Sequence, residues 1–386
     1  MGLAVGLMSG TSLDGIDVAM VDIKGSGLDT ELTLIDFMTV PFDDDVREKI
    51  MMNSSVSTSD VKQICSLNFQ LGQLFADATV VICTKNGVDV EDLDFIGSHG
   101  QTIHHLPISE SGFVSSTLQI GEPAVIAFRT NTLVVSNFRT MDIAAKGQGA
   151  PLVPYTEWIL YRHEKKGRLL QNIGGIGNVT VMPANATLES VTAFDTGPGN
   201  MVIDELVKRL FGVPYDSGGK LAAKGCVDDD LLSKCMSHPY FLLAPPKSTG
   251  RELFGAFYVD QLLLGNEQMN PYDLVATMTM FTAKTIAFHY EKYIFPHHDI
   301  SEIIVSGGGS YNTTLIAMLT ELLSGTCCVS TGEDIGFSSE AKEAIAFAIL
   351  ANETIHGNPS NVKSATGASE NVLLGNITYP PRKNKS

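Results

Sequence analysis

Hydrophobic residues along this chain fall into short runs separated by glycine-rich turns, and the first two runs set the pattern. Leu3 to Val5 lead into the turn Gly6-Leu-Met-Ser-Gly-Thr-Ser-Leu-Asp-Gly-Ile-Asp17, and Val18 to Ile23 leave it with no helix between. Two apolar runs joined this way predict a β-hairpin. The arrangement recurs where Leu169 and Leu170 enter the turn Asn172-Ile-Gly-Gly-Ile-Gly-Asn178 and Val179 to Met182 leave it. Turns of Gly, Ser and Thr can aim several N–H groups and hydroxyls at one anion. The repeated hairpin therefore predicts a polyphosphate, such as that of a nucleotide, held between two related lobes.

The same reading extends along the chain. Leu32 to Val40 predicts a strand, and Val46 to about Lys85 a mainly helical stretch. Phe95 to Ser98 reads as a short strand delivering His99-Gly100-Gln101-Thr102 at its end, where polar groups line clefts in α/β proteins. Leu133 to Ser136 is a further strand, with Arg139 and Asp142 beyond it, and a boundary is expected near residue 140. Lys146 to Pro151 reads as a turn or link before a helix containing Trp158. Val191 to Phe194 predicts a strand ending in Asp195-Thr-Gly-Pro-Gly-Asn200. Met201, Ile203, Leu206, Val207 and Leu210 then form one apolar helical face, with Asn200 as its candidate cap. Leu274 to Ile294 predicts a long helix and Glu302 to Val305 a strand. The turn Ser306-Gly-Gly-Gly-Ser310 precedes another helix, and Glu340 to Leu350 predicts a last one.

Composition narrows the function. At 386 residues and 44% hydrophobic, the chain can build two cores. Lysine and arginine number 26 against 43 acidic residues, a net charge of −17, which disfavours a nucleic-acid footprint. An anionic nucleotide would depend on local N–H groups, a few cations and a divalent metal. No secretory signal or membrane-length apolar run is evident, so a cytoplasmic protein with no membrane partner is expected. Six scattered cysteines without CxxC pairs predict free thiols rather than a zinc site or disulfide framework.

Candidate chemistry concentrates in the turns. No GxxxxGK[ST] sequence occurs, and Pro214 stands at its first glycine position ahead of Gly218-Gly219-Lys220, which disfavours a P-loop. The first turn does not match GxGxxG before a helix, which disfavours a dinucleotide-binding unit. Ser9, Thr11, Ser12 and Asp14, beside three glycines, are read as a phosphate or substrate site in preference to plain turn formers. Asp14 is the local candidate to organise magnesium through water. Asn172 to Asn178 reads as a phosphate site when paired with the first turn, and Ser306 to Ser310 as a third, weaker nucleotide contact. In the Asp195 turn, Gly197 and Gly199 permit close backbone approach and Pro198 fixes the bend. The Asp195 carboxylate could deprotonate water or a hydroxyl, assist with magnesium, or form a structural Asx-turn. His99 reads as a core or turn histidine, and nothing resembles HExxH. Arg139 and Asp142 are either a local salt bridge or cleft-lining substrate ligands. Lys247-Ser-Thr-Gly-Arg251-Glu252, after Pro245-Pro246, is either a rigid binding loop or a surface turn. Ser9 and Ser12 have no His–Asp relay, which disfavours a peptidase or esterase.

Several segments together resemble one family. They are the first turn, Ser98-His-Gly-Gln-Thr102, Thr117-Leu-Gln-Ile-Gly121, Gly147-Gln-Gly-Ala-Pro151, Asn172-Ile-Gly-Gly-Ile176, Phe194-Asp-Thr-Gly-Pro-Gly-Asn200, Pro245-Pro-Lys-Ser-Thr-Gly-Arg-Glu252 and Lys342-Glu-Ala-Ile-Ala-Phe347. Over nearly its full length the chain resembles the anhydro-N-acetylmuramic acid kinase family. The resemblance implies an α/β protein with the two-lobed sugar kinase, heat-shock ATPase and actin-like fold, that is, duplicated ribonuclease H-like domains about a central cleft. One lobe would be residues 1–140 completed by 365–386, the other 141–364. It implies ATP and Mg2+ as cofactors, an anhydrosugar substrate and a homodimer. Asp195 is then the base that activates water for attack at the anomeric carbon, while the freed O6 takes the γ-phosphoryl group.

By the same resemblance, Ser9, Gly10, Thr11, Ser12 and Asp14 approach the γ-phosphate and magnesium. Asn172, Gly174, Gly175, Asn178, Thr196, Gly197, Gly199 and Asn200 approach the other phosphates, and Gly307, Gly308 and Gly309 border the nucleoside. Thr102, Arg139, Asp142 and Glu343 fall on the sugar side, with Arg139 suited to the lactyl carboxylate. Gly177 and Lys146 depart from the family's frequent alanine and glycine, and 106–116 is locally unusual. These departures keep a levoglucosan kinase as the enzymatic alternative. A nucleotide-dependent chaperone or structural protein is the alternative of another class.

Overall fold

The first hairpin forms as its apolar runs require. β1 (Gly2–Ser9) pairs antiparallel with β2 (Gly15–Lys24), from Gly2 opposite Ile23 to Met8 opposite Asp17. In the computed structural model, which describes residues 2–10, 13–335 and 340–381, β3 (Glu31–Pro41) continues this meander beside β2. The chain then crosses over through helices Asp44–Asn53 and Val61–Lys85. What reads in sequence as one helical stretch is two helices because Asp60 starts the second, its carboxylate accepting the N–H groups of Lys62 and Gln63 at 2.9 Å each.

β4 (Phe95–Leu106) runs parallel to β1, and β5 (Ser116–Ile120) folds back antiparallel on its outer half. The expected short strand at 95–98 is therefore twelve residues long. His99 to Thr102 lie within it rather than at its end, because β5 supplies hydrogen bonds to the second half. β6 (Leu133–Ser136) lies parallel on the other side of β4.

The second meander repeats this topology. β7 (Arg168–Ile173), β8 (Ile176–Met182) and β9 (Thr192–Pro198) are successively antiparallel. β10 (Glu302–Ser306) is parallel to β7, and β11 (Cys328–Thr331) is parallel to β10. The resulting order, β11-β10-β7-β8-β9, matches β6-β4-β1-β2-β3 in arrangement and direction. β12 (Asn376–Thr378) returns at the end of the chain to pair antiparallel with β6.

The chain divides into two compact units, Met1–Leu160 with Glu340–Ser386, and Tyr161–Ser339. The division thus falls at 160 and 340 rather than at the expected 140 and 365. The reason is a buried polar tie inside the first unit. Helix Lys342–His356 carries Glu353, whose carboxylate accepts Gly27 N–H (2.8 Å), Tyr155 O–H (3.2 Å) and Asn358 Nδ2 (2.8 Å). Lys342 also pairs with Glu157 at 2.5 Å. Helix Val153–Tyr161 and helix Lys342–His356 therefore belong with the first sheet.

The cores follow the apolar patterning. In the first unit Val5, Leu7, Val18 and Met20 pack with Leu71, Phe75 and Ile82. In the second, Ile173 and Val179 pack with Ile286, Tyr290 and Leu315. Val202, Ile203, Leu206 and Val207 of helix Met201–Phe211 face Phe241, Phe254 and Phe281. Among the described residues no helix is long and apolar enough to cross a membrane, and the six cysteines are free.

Helix Lys342–His356 comes so close to the first sheet that a Cβ on Gly6 would strike the Ala344 carbonyl, and one on Gly97 the Phe347 carbonyl. Gly6→Ala is expected to cost about 1–3 kcal/mol by overpacking against main chain that has little room to shift. Chemical unfolding followed by the single tryptophan, Trp158, which lies in this unit, should register the loss.

Candidate functional site

In the first unit the β1–β2 turn is braced from below by Gln101. Ser9 is 1% exposed, its Oγ lying 2.6 Å from Gln101 Oε1 and 3.0 Å from Gly15 O. Gln101 Nε2 donates to Gly10 O at 3.3 Å. Ser9 is thus a buried brace, and its hydroxyl is not presented to a phosphate. Beyond Gly10, Leu13 takes a positive φ of 60° and Asp14 is exposed. Arg47 Nε donates to Leu13 O at 3.2 Å, holding the far side of the turn. Thr11 and Ser12 lie outside the described residues.

Arg139 and Asp142 do not form the salt bridge that their spacing permits. Arg139 Nε donates to His99 Nε2 (3.0 Å) and its Nη1 to Gly149 O (2.8 Å). His99 accepts there because its Nδ1 faces Gly100 O at 2.8 Å. Burial, then the Arg139 charge, pulls the imidazole down to about 3, so it stays neutral. Burial also lowers Arg139 from its usual value, and Glu343 opposes that. Solvent reaches Glu343 in the first turn of its helix. The protein around it, then Asp17, nevertheless pushes its carboxyl up, against Lys342 and Arg139.

Asp142 is the clear correction. It is 0% exposed, with Oδ2 accepting Gly149 N–H (2.8 Å) and Oδ1 accepting Asn361 Nδ2 (2.9 Å) and Thr366 O–H (2.8 Å). Its carboxylate is committed inside the unit and ties the 147–149 turn to the C-terminal segment. Thr102, half-buried, accepts from Gln119 Nε2 at 3.3 Å.

In the second unit three turns converge. Asn200 N–H donates to Gly174 O (2.7 Å), while Gly199 and Met201 N–H donate to Gly175 O (2.9 and 3.1 Å). These amides weld the β7–β8 turn to the β9 exit, so Gly199 and Asn200 do not offer them to an anion. Asn200 does not cap its helix either, since Nδ2 is directed at Ile173 O (3.4 Å). Thr196 is 0% exposed beside Gln171, and Gly197 is buried with a Cβ position 3.0 Å from Phe241. Neither presents a group to a phosphate. Asn172, Gly175 and Asn178 keep at least partial exposure. Gly307 joins them at a φ of 82°, and any side chain there would meet Asn172 Oδ1 at 2.5 Å.

Beside Gly308 opens a cavity of about 430 Å3, lined by Asn200, Asp204, Tyr215, Asp216 and Asn312 among others. Asp216 is fixed by the N–H groups of Leu221 (2.8 Å) and Ala222 (3.0 Å). Burial, then the Asp216 charge, pushes the Asp204 carboxyl up to about 6. A cavity of this size with several polar lining groups can take a nucleoside.

Asp195 sits half-buried in the middle of β9, opposite Asn178, rather than at a strand end, because pairing with β8 carries the strand on to Pro198. Thr249 N–H donates to its Oδ2 at 2.8 Å. Burial raises the carboxyl above the ordinary aspartate value, and the Thr249 bond offsets only part of this. A carboxylate so placed accepts a proton more readily than one in water.

The family profile described as anhydro-N-acetylmuramic acid kinase matches residues 2–380. The chain belongs to that family. A relative of that name from Bacillus cereus (strain G9842) is 60% identical over 377 residues, 97% of this chain and 99% of its own. One from Bacillus thuringiensis subsp. konkukian (strain 97-27) is 58% identical over 378 residues, covering 98% and 99%. Among solved structures, the activator of 2-hydroxyisocaproyl-CoA dehydratase from Clostridium difficile overlaps with TM-score 0.43 at 10% identity, covering 92% of this chain and 96% of its own.

Several residues of this family member escape sequence reasoning. His99 and Gln101 support Arg139 and the first turn, and only the Ser98 to Thr102 motif marked their neighbourhood. Thr249 falls inside the Lys247 to Glu252 segment, which marked its neighbourhood but not its bond to Asp195, while Asp204 carries no local signal because it acquires its place from a cavity. If Asp142 is the internal tie described above, Asp142→Asn turns an amide donor toward donors. It is expected to cost about 1–3 kcal/mol of stability with little change in sugar affinity. Thermal unfolding and a sugar titration on the same sample check this.

Proposed function

We infer that the protein is an ATP-dependent hydrolytic kinase converting 1,6-anhydro-N-acetylmuramic acid, water and ATP to N-acetylmuramic acid 6-phosphate and ADP. Family membership over residues 2–380 carries this reading. In the reaction, water oxygen attacks C1, the bond between C1 and the bridging O6 breaks, and O6 takes the γ-phosphoryl group. The proton of the attacking water goes to the Asp195 carboxylate. Support for that role is the placement of the carboxylate: Oδ2 is held by Thr249 N–H, which leaves Oδ1 to receive the proton.

On the sugar side, Arg139 would meet the lactyl carboxylate with Nη2, since Nε and Nη1 are committed to His99 and Gly149. Glu343 and Thr102 remain sugar-side candidates, and Asp142 does not. Gly10 and Asp14 are proposed for the γ-phosphate, and Asn172, Gly174, Gly175 and Asn178 for the other phosphates. Gly307 to Gly309 would border the nucleoside, which the cavity beside Gly308 supports.

The magnesium ion that accompanies ATP is proposed to lie at the first turn. Asp14 is exposed there and supplies a hard carboxylate oxygen. Among the described residues no set of three or more His, Cys, Asp or Glu side chains forms a metal cage. Mg2+ commonly keeps waters and phosphate oxygens as most of its ligands, so one or two carboxylates suffice. Bound there, it would neutralise charge on the transferring phosphate; Asp14 would hold it through water.

The two units are read as ribonuclease H-like copies within the sugar kinase, heat-shock ATPase and actin class, a reading supported by their shared strand order. A cytoplasmic homodimer is the form proposed for the enzyme. Asp195→Asn should lower turnover by about a hundredfold or more while leaving ATP affinity nearly intact. Because the base must be ionised and its carboxyl is raised, wild-type activity should fall on the acid side at a pH above the ordinary aspartate value. Product formation from the anhydromuramic sugar and from levoglucosan, with ATP binding measured alongside, tests both points. Preference for levoglucosan would overturn the substrate, and near-normal turnover of the variant would overturn the base.

A further inference from the structure

Asp195 is held by a loop that has no regular secondary structure of its own. Residues 244–250 nevertheless meet β9 at two hydrogen bonds. Asp195 N–H donates to Lys247 O (3.0 Å), and Thr249 N–H donates to Asp195 Oδ2 (2.8 Å). Tyr240 adds a third from outside the loop, its O–H donating to Asp195 O at 2.7 Å. The direction of the carboxylate thus depends on where the main chain of 247–249 lies.

The Lys247 side chain is what anchors that main chain. Its Nζ sits 4.4 Å from the centre of the Tyr240 ring and 5.5 Å from that of Tyr293, and donates to Tyr240 O at 3.0 Å. Tyr293 O–H in turn donates to Leu242 O at 3.3 Å. A cation between two aromatic faces is attracted to both, most strongly where water is partly excluded. We propose that Lys247 is a positioning residue for Asp195, its ammonium clasped by Tyr240 and Tyr293 so that residues 247–249 aim the carboxylate. This rests on Asp195 being the water-activating base.

The ammonium does not act by tuning the base electrostatically. Burial and the Thr249 N–H govern the Asp195 titration. Removing the charge should therefore displace the carboxylate rather than change its basicity. The charge is itself conditional, since burial and then Lys292 pull Lys247 down to about 8. The other groups around the clasp are Tyr240, which burial pushes up, Tyr293, Lys292, and His289, which burial pulls down to about 4. As pH rises through about 8, Lys247 loses its proton and the clasp loses its cation.

Steady-state kinetics on the full chain with ATP and the anhydromuramic sugar, across the pH range, provide the test. Lys247→Met should lower kcat roughly tenfold or more, with KM for both substrates within about twofold. It should also abolish the alkaline decline expected of wild type near pH 8. Lys247→Arg should restore most of kcat and move that decline upward, because guanidinium keeps its charge. ATP affinity checks that each variant is folded. If Lys247→Met fails that check, Tyr293→Leu, which removes one of the two aromatic faces of the clasp, must show the same loss confined to kcat. Wild-type kcat in Lys247→Met, or a lowered kcat that keeps the alkaline decline, overturns the proposal. Asp195→Asn runs beside them: if it stays active the base reading fails, whereas if it is inactive and Lys247→Met is normal only the clasp fails.

Discussion

The arrangement of chemistry in both units depends on one pairing: an antiparallel hairpin whose first strand takes a parallel partner. Parallel strands put their C-terminal ends side by side. In the first unit this sets Ser9 of β1 beside Gln101 of β4, and in the second it sets Asn172 of β7 beside Ser306 of β10. Each hairpin turn is thereby delivered next to a second polar segment. An isolated hairpin would present its glycines to water with nothing behind them.

What surrounds these turns is committed hydrogen bonding, and that commitment separates structural from exposed groups. A buried polar group without a partner is costly, so the chain satisfies Ser9, Asp142, Thr196 and the amides of 199–201 internally. Groups at the surface of the same turns, among them Asp14, Asn172, Gly175 and Asn178, keep the exposure that the proposed ligand contacts need. The acidic net charge leaves this intact because the relevant donors are local main-chain N–H groups and side-chain amides. Burial also sorts the carboxylates. Asp142 is braced by three donors, whereas Asp195 has one, at a single oxygen.

Both hairpins, β6 and the start of β9 were legible because their signals are local, apolar alternation and a glycine turn, whereas β9 runs on through Asp195 to Pro198 because β8 pairs with it. β4 was read too short because its outer half is polar and depends on β5 for its hydrogen bonds. The unit boundary was misplaced for a similar reason. Helix Val153–Tyr161 looks like the start of something new until Tyr155 meets Glu353, 198 residues away. Asp142 looked like a cleft residue until Asn361 and Thr366 closed over it.

The sequence by itself determined the repeated hairpin, which follows from spacing along the chain that near neighbours enforce, and the family, whose resemblance put Asp195 forward as the base. Only the tertiary structure decided which turn residues face outward, which are spent inside, and what holds Asp195 in place. A side chain's availability is set by the partners that burial brings to it. Those partners, Gln101 for Ser9, Gly174 for Asn200 and Thr249 for Asp195, lie 92, 26 and 54 residues away.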